Sequence, residues 1–218
     1  AQIIKTCYYE MIGHRNWPHT RKLIQLEASG NLSLPNYMIL PENLSELTYF
    51  KYDKAKIDAT DISIGDVTYK EPDEFLKLIS TRKSSNENVQ TVIDPSGTKI
   101  LTLTNVAPTY WTSFDDNYLV TDSYNKEVDD TLKKSKSQAQ AYITPEWDRV
   151  DSFVPDLPAE AFPAFLEEAK STAFLTLKQV TNQKAEQKAK RNQAWLSRKA
   201  WRANGGVRYE NYGRASRK

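Results

Sequence analysis

The residues best suited to chemistry are two pairs of adjacent carboxylates, two histidines and one cysteine. Adjacent acids such as Asp115-Asp116 and Asp129-Asp130 can move a proton or hold a hard cation. Asp115 and Asp116 sit in Phe-Asp-Asp-Asn, which is good turn composition, and the turn reading is preferred for both pairs. His14 and His19 lie five apart with Pro18 between them, so they cannot form an i, i+4 metal pair on one helix. They read as surface or interface histidines. Cys7 falls on an apolar helical face and reads as a small buried hydrophobe rather than a nucleophile. There is no glycine-rich phosphate loop and no GxSxG elbow. The expectation is a protein that is not an enzyme and takes no cofactor and no metal. An enzyme built on the acidic pairs ranks third among the readings.

The stronger signal is charge. From Asn182 onward there are eleven Lys or Arg against two acidic residues, a surplus of nine in a chain whose net charge is only +2. Trp195 and Trp201 are interleaved with Arg191, Arg198, Lys199 and Arg202. One reading is nucleic-acid contact, with cations on phosphates and aromatics available for stacking. The other is a protein interface, where Trp and Arg are enriched, and it is the preferred one. Residues 207–218 hold too few apolar side chains to fold alone and read as a basic arm, ordered only against an acidic or grooved surface. Arg202, Arg208, Tyr209, Tyr212 and Arg214 are its candidate contacts.

These residues must be positioned by helices. Residues 157–203 carry the one long 3.6-residue period, with Phe162, Leu166, Ala169, Ala173, Leu177 and Val180 on one face. That face is expected to be buried. A weaker stripe of Ala185, Ala189, Leu196 and Ala200 follows. A turn near Thr181-Asn182 is expected to split the segment into two antiparallel helices, with Asn182 capping the second. Asn204-Gly205-Gly206 stops it. Residues 1–17 read as a helix with Ile3, Cys7, Tyr8, Met11 and Ile12 on one face, closed by Trp17-Pro18. The chain reads as starting inside that helix, with no secretory leader.

The stretch between these ends reads as strand-rich. Strands are expected at 21–27, 46–52, 61–69, 110–114, 118–122 and 140–143, with a short helix opened by Pro72. Val89 to Leu103 is the clearest hairpin, turning at Asp94-Pro95-Ser96-Gly97. Residues 128–139 are left as a loop or short helix. The expected fold is therefore α+β: a helical bundle formed by an N-terminal helix and a C-terminal helical hairpin, with an inserted β-rich domain and a basic C-terminal arm. The expected boundaries are 1–17, 18–156, 157–203 and 204–218. A single cysteine excludes a disulfide scaffold, and no apolar run approaches the ~20 residues of a membrane span.

The order of these features resembles a known family. HRNWPHTRKLIQLEASG with YMILPENLSELTYFKYD, then PTYWTSFDDNYLVTDSY, then DLPAEAFPAFLEEAKSTAFLTLKQVTNQKAEQKAKR are similar to the head-to-tail adaptor of short-tailed bacteriophages, the tail tubular protein A family. They span most of the chain, and none is a catalytic signature. The resemblance implies a structural virion protein, forming a homo-oligomeric ring expected to be twelvefold. The ring would join the portal protein above to the tail nozzle protein below, with double-stranded DNA passing through its lumen. It implies no cofactor and no membrane, with a virion location after assembly in the host cytoplasm. On that reading Trp195, Arg198, Trp201, Arg202, Arg208, Tyr209, Tyr212 and Arg214 meet the portal. Asp94, Pro95, Ser96 and Gly97 would form an assembly loop reaching a neighbouring subunit or the tail. The alternative is a nucleic-acid-binding protein using the basic helix and arm.

Overall fold

The structure, a computed structural model, describes residues 2–14, 16–55, 61–150 and 152–199, with side chains described as far as residue 196. The chain forms two compact units. One comprises residues 1–19 and 147–218, the other residues 20–146.

The second unit is built on an eight-stranded sheet. Its strands are β1 (Arg21–Ile24), β2 (Glu27–Ala28), β3 (Tyr37–Ile39), β4 (Leu44–Asp53), β5 (Ile64–Tyr69), β8 (Tyr110–Thr112), β9 (Tyr118–Thr121) and β10 (Ser137–Ile143). Their order across the sheet is β1-β10-β4-β5-β8-β9-β3-β2. The two edge strands are supplied by one short stretch of chain, residues 21–28, so the sheet curls until its edges are joined through Gln25 and Leu26. The Leu26 amide donates to Ser137 Oγ at 2.9 Å across that corner. Curling has a local cause in β4. Its register against β10 slips at Thr48 and again at Ser45, and each extra residue bends and twists the strand. Near-continuous closure also removes the long free edges that would invite pairing with other chains.

Two apolar cores lie against this sheet. Leu26, Met38, Phe50, Val67, Leu119 and Ala139 fill one. The other gathers Tyr37, Phe75, Ile79, Val92, Ile100 and Val120. It is closed by α2 (Pro72–Ser80) and by a separate hairpin of β6 (Val89–Ile93) and β7 (Lys99–Leu103). Pro72 begins α2 where no intrahelical N–H is needed, and Asp73 and Glu74 complement the positive end of its dipole.

A buried ion pair ties these pieces together. Arg82, just past α2, donates to Asp122 Oδ2 at 2.8 Å, to the Leu101 carbonyl at 2.9 Å and to the Asp122 carbonyl. Asp122 Oδ1 accepts from the amides of Thr109 and Tyr110 at 3.1 and 2.9 Å. The Asp122 side chain is 4% exposed and that of Arg82 11%. Helix, hairpin, loop and sheet thus converge on one carboxylate.

The first unit contains α1 (Gln2–Gly13), α3 (Phe162–Lys178) and α4 (Gln183–Lys199). Cys7, Tyr8, Met11 and Ile12 of α1 pack with Trp17, Ala164, Phe165 and Leu196. Trp17 Nε1 donates to the Met11 carbonyl at 2.9 Å, which seats the indole under α1. The helices of the hairpin are separated by Gln179, in the left-handed region at φ 52°, whose amide reaches back to the Leu175 carbonyl. Asn182 Oδ1 then accepts from the Ala185 amide at 3.1 Å and caps α4.

The expected fold needs correction. The protein is α+β, but a helical bundle carrying an inserted β domain is not what is seen. A large curled eight-stranded sheet dominates, with four α-helices among the described residues. The reason lies in burial. Of the helical stripe expected to form a bundle core, Phe162 and Ala169 pack partly against the core, whereas Leu166 is 53% and Leu177 73% exposed and Val180 is exposed beyond the helix. The larger fully buried side chains are mostly in the sheet unit. Three local expectations also shift. The strand at 21–27 is broken at Gln25, the short β3 adds a strand that the sequence pattern does not announce, and residues 134–136 make a 3-10 turn before a longer β10.

Candidate functional site

Among the described residues, the two acid pairs, the histidines and the cysteine lie in separate places. Asp115 Oδ1 accepts from the amides of Asn117 and Tyr118 at 3.1 Å each, and Asp116 takes φ 58°, so this pair builds the β8–β9 turn. Asp129 is engaged by Lys136 Nζ. Cys7 is fully buried, and burial pushes its thiol up, away from the thiolate that a nucleophile needs. Burial lowers the His19 imidazole, which favours its neutral form. No group of three or more His, Cys, Asp or Glu able to hold a metal exists among the described residues.

What remains are surfaces, and the most distinctive lie on the helical hairpin. Helix α3 turns Ala164 and Phe165 inward. Its opposite face presents Leu166 and Leu177 to solvent at helical spacing, with the half-buried Ala173 and the one charge, Lys170, between them, while Phe162 packs partly against the core of the unit. Beside it, Ile4, Ala159, Phe162, Pro163, Phe165 and Leu166 line an open, mostly apolar groove of roughly 520 Å³. A long helix that leaves its apolar face uncovered presents a surface of the kind that marks a contact site.

Helix α4 has a different face. It buries Ala185, Ala189 and Leu196, whose small size at the first two positions lets the helices of the hairpin approach closely. The outward side places Lys184, Lys188, Arg191 and Trp195 in one line, at steps of four, three and four residues. Lys188 lies 3.8 Å from Glu167, which Lys170 shares at 3.5 Å, and Glu186 is held by Lys190 at 2.7 Å. Trp195 is 46% exposed. Arg198 continues the line in backbone register.

The residues expected to meet a partner fall as follows. Trp195 lies on the outward face of α4 and Arg198 in its last turn. Trp201, Arg202, Arg208, Tyr209, Tyr212 and Arg214 lie outside the described residues. Asp94, Pro95, Ser96 and Gly97 form the β6–β7 turn, with Gly97 at φ 86°. The Gly97 amide donates to the Asp94 carbonyl at 2.8 Å, closing a tight turn followed by a left-handed glycine. This turn is tethered, because Tyr37 Oη donates to Asp94 Oδ1 at 2.6 Å. Pro95, Ser96 and Gly97 are exposed beyond that tether.

The Arg82–Asp122 pair, the Tyr37–Asp94 bond and the groove beside Ile4 were not found from sequence. Their partners are separated by 40, 57 and more than 150 positions, and no local pattern announces them. No helix among the described residues is long and apolar enough to cross a membrane. Compared with known proteins, the chain matches no protein-family model and no curated protein.

Proposed function

We propose that this protein is a structural subunit of a ring-shaped head-to-tail connector, joining a portal to a tail nozzle around a DNA passage. The observation that carries the reading is the uncovered apolar face of α3, with Leu166 and Leu177 in solvent and an apolar groove alongside. A subunit that repeats around a ring buries such a face against the next copy, in a head-to-tail contact that closes by rotation. The similarity in element order to phage adaptors adds to this.

In this reading the neighbouring copy covers the α3 face. The basic segment beyond α4 meets the portal, and the Asp94–Gly97 turn reaches a neighbouring subunit or the nozzle. The test is the double substitution L166D/L177D. Both positions are exposed, so the subunit should fold with unchanged circular dichroism while ring formation is lost. A variant that still forms rings would remove the α3 face from the contact and the main support for the proposal.

A further inference from the structure

The outward face of α4 has a composition unlike the α3 face. Lys184, Gln187, Lys188, Arg191, Ala194 and Trp195 occupy it, with no carboxylate and no aliphatic side chain larger than alanine. The nearby acids face Lys190 or the α3 side: Glu186 pairs with Lys190, Glu168 also acts on Lys190, and Glu167 pairs with Lys170 and Lys188. Among the described residues Lys184 and Arg191 have no ion pair, so the strip keeps a positive surplus. Lys184 to Arg191 spans roughly 10 Å along the helix axis, at 1.5 Å per residue. An extended line of cations of this length suits a polyanion with closely spaced charges, and duplex DNA presents about one per 1.7 Å.

We infer that the Lys184–Lys188–Arg191–Trp195 strip of α4 binds a nucleic-acid phosphate backbone independently of sequence. An acidic protein is the less fitting occupant. Protein interfaces are depleted in lysine and gather apolar side chains at their centre, whereas this face is lysine-rich and nearly devoid of them. Lys and Arg fit phosphate as charges and forks. The inference does not depend on ring formation. It holds for a monomer as well as for a connector subunit.

The test is fluorescence anisotropy of a labelled mixed-sequence DNA duplex with the full chain over a series of salt concentrations. The comparison is the triple variant K184Q/K188Q/R191Q, with K184Q and R191Q singly as controls for folding. Each phosphate contact contributes about 0.9 to the slope of log affinity against log salt, so the triple variant should lose roughly 2–3 from it. Its low-salt affinity should fall at least about tenfold, with each single variant giving about a third of the slope change. Unchanged affinity and slope in all three variants would overturn the inference. Binding of the wild type to polyglutamate but not to DNA would also overturn it, and would make the strip a protein-docking surface.

Discussion

Asp122 accepts hydrogen bonds from two amides and from the Arg82 guanidinium while almost wholly out of water. Removing one partner of such a pair leaves the other charge buried and unpaired, which costs about 3–5 kcal/mol. D122A is therefore expected to lower the unfolding free energy by that amount, read as a lower urea midpoint at constant m-value in equilibrium denaturation. Tyr37 and Asp94 act at a second point. Burial raises the Asp94 pKa, but bonds from Ser96 and Tyr37 outweigh it and hold the carboxyl below its usual range. A depressed folded pKa gives stability that is present above the unfolded value and is lost as pH falls through the folded one. Y37F should thus destabilise the protein by about 1–2 kcal/mol at neutral pH, discounted for partial exposure. The difference from wild type should shrink as Asp94 protonates in acid, and chemical denaturation across pH reads it directly. Neither partnership is visible in the sequence, because charge and hydroxyl side chains at these separations carry no local signal.

Helix α3 shows where periodicity informs and where it misleads. The 3.6-residue pattern puts Leu166, Ala173 and Leu177 on one face, but Phe162 and Ala169 of the same expected stripe pack partly against the core and Val180 falls beyond the helix. It cannot say whether the face is buried within its own chain, because burial depends on what lies opposite. The face that packs on α1 instead uses Ala164 and Phe165. Leu166→Ala and Leu177→Ala are therefore expected to change stability by less than about 1 kcal/mol, far below a core deletion, while weakening self-association. Thermal melts of dilute protein set beside sedimentation of concentrated protein separate these two effects. Elements with strong local chemistry were legible. Asn182 caps α4 and Asp94-Pro95-Ser96-Gly97 turns the hairpin as their residue types dictate. The short β2 and β3 were not, since two or three residues held by long-range pairing carry almost no pattern of their own.

Across the whole molecule, the sheet unit has well-buried cores and few long edges, while the helical hairpin offers two contrasting faces. One is apolar and suits another protein surface. The other is cationic and suits phosphate. On the proposed reading, copies would join through α3 and nucleic acid would meet α4. Composition revealed the charge asymmetry, but only the helical register showed that Lys184, Lys188, Arg191 and Trp195 form one line. The sheet was legible as a set of strands and not as the dominant body, because the joining of its edges depends on two register slips in β4. The most direct test of the connector account is electron microscopy of the purified chain, alone and mixed with portal protein. The account predicts symmetric rings in at least the mixture, with a mass near 300 kDa for roughly twelve chains of 25.0 kDa. Monomers under both conditions, with no density added to the portal, would contradict it.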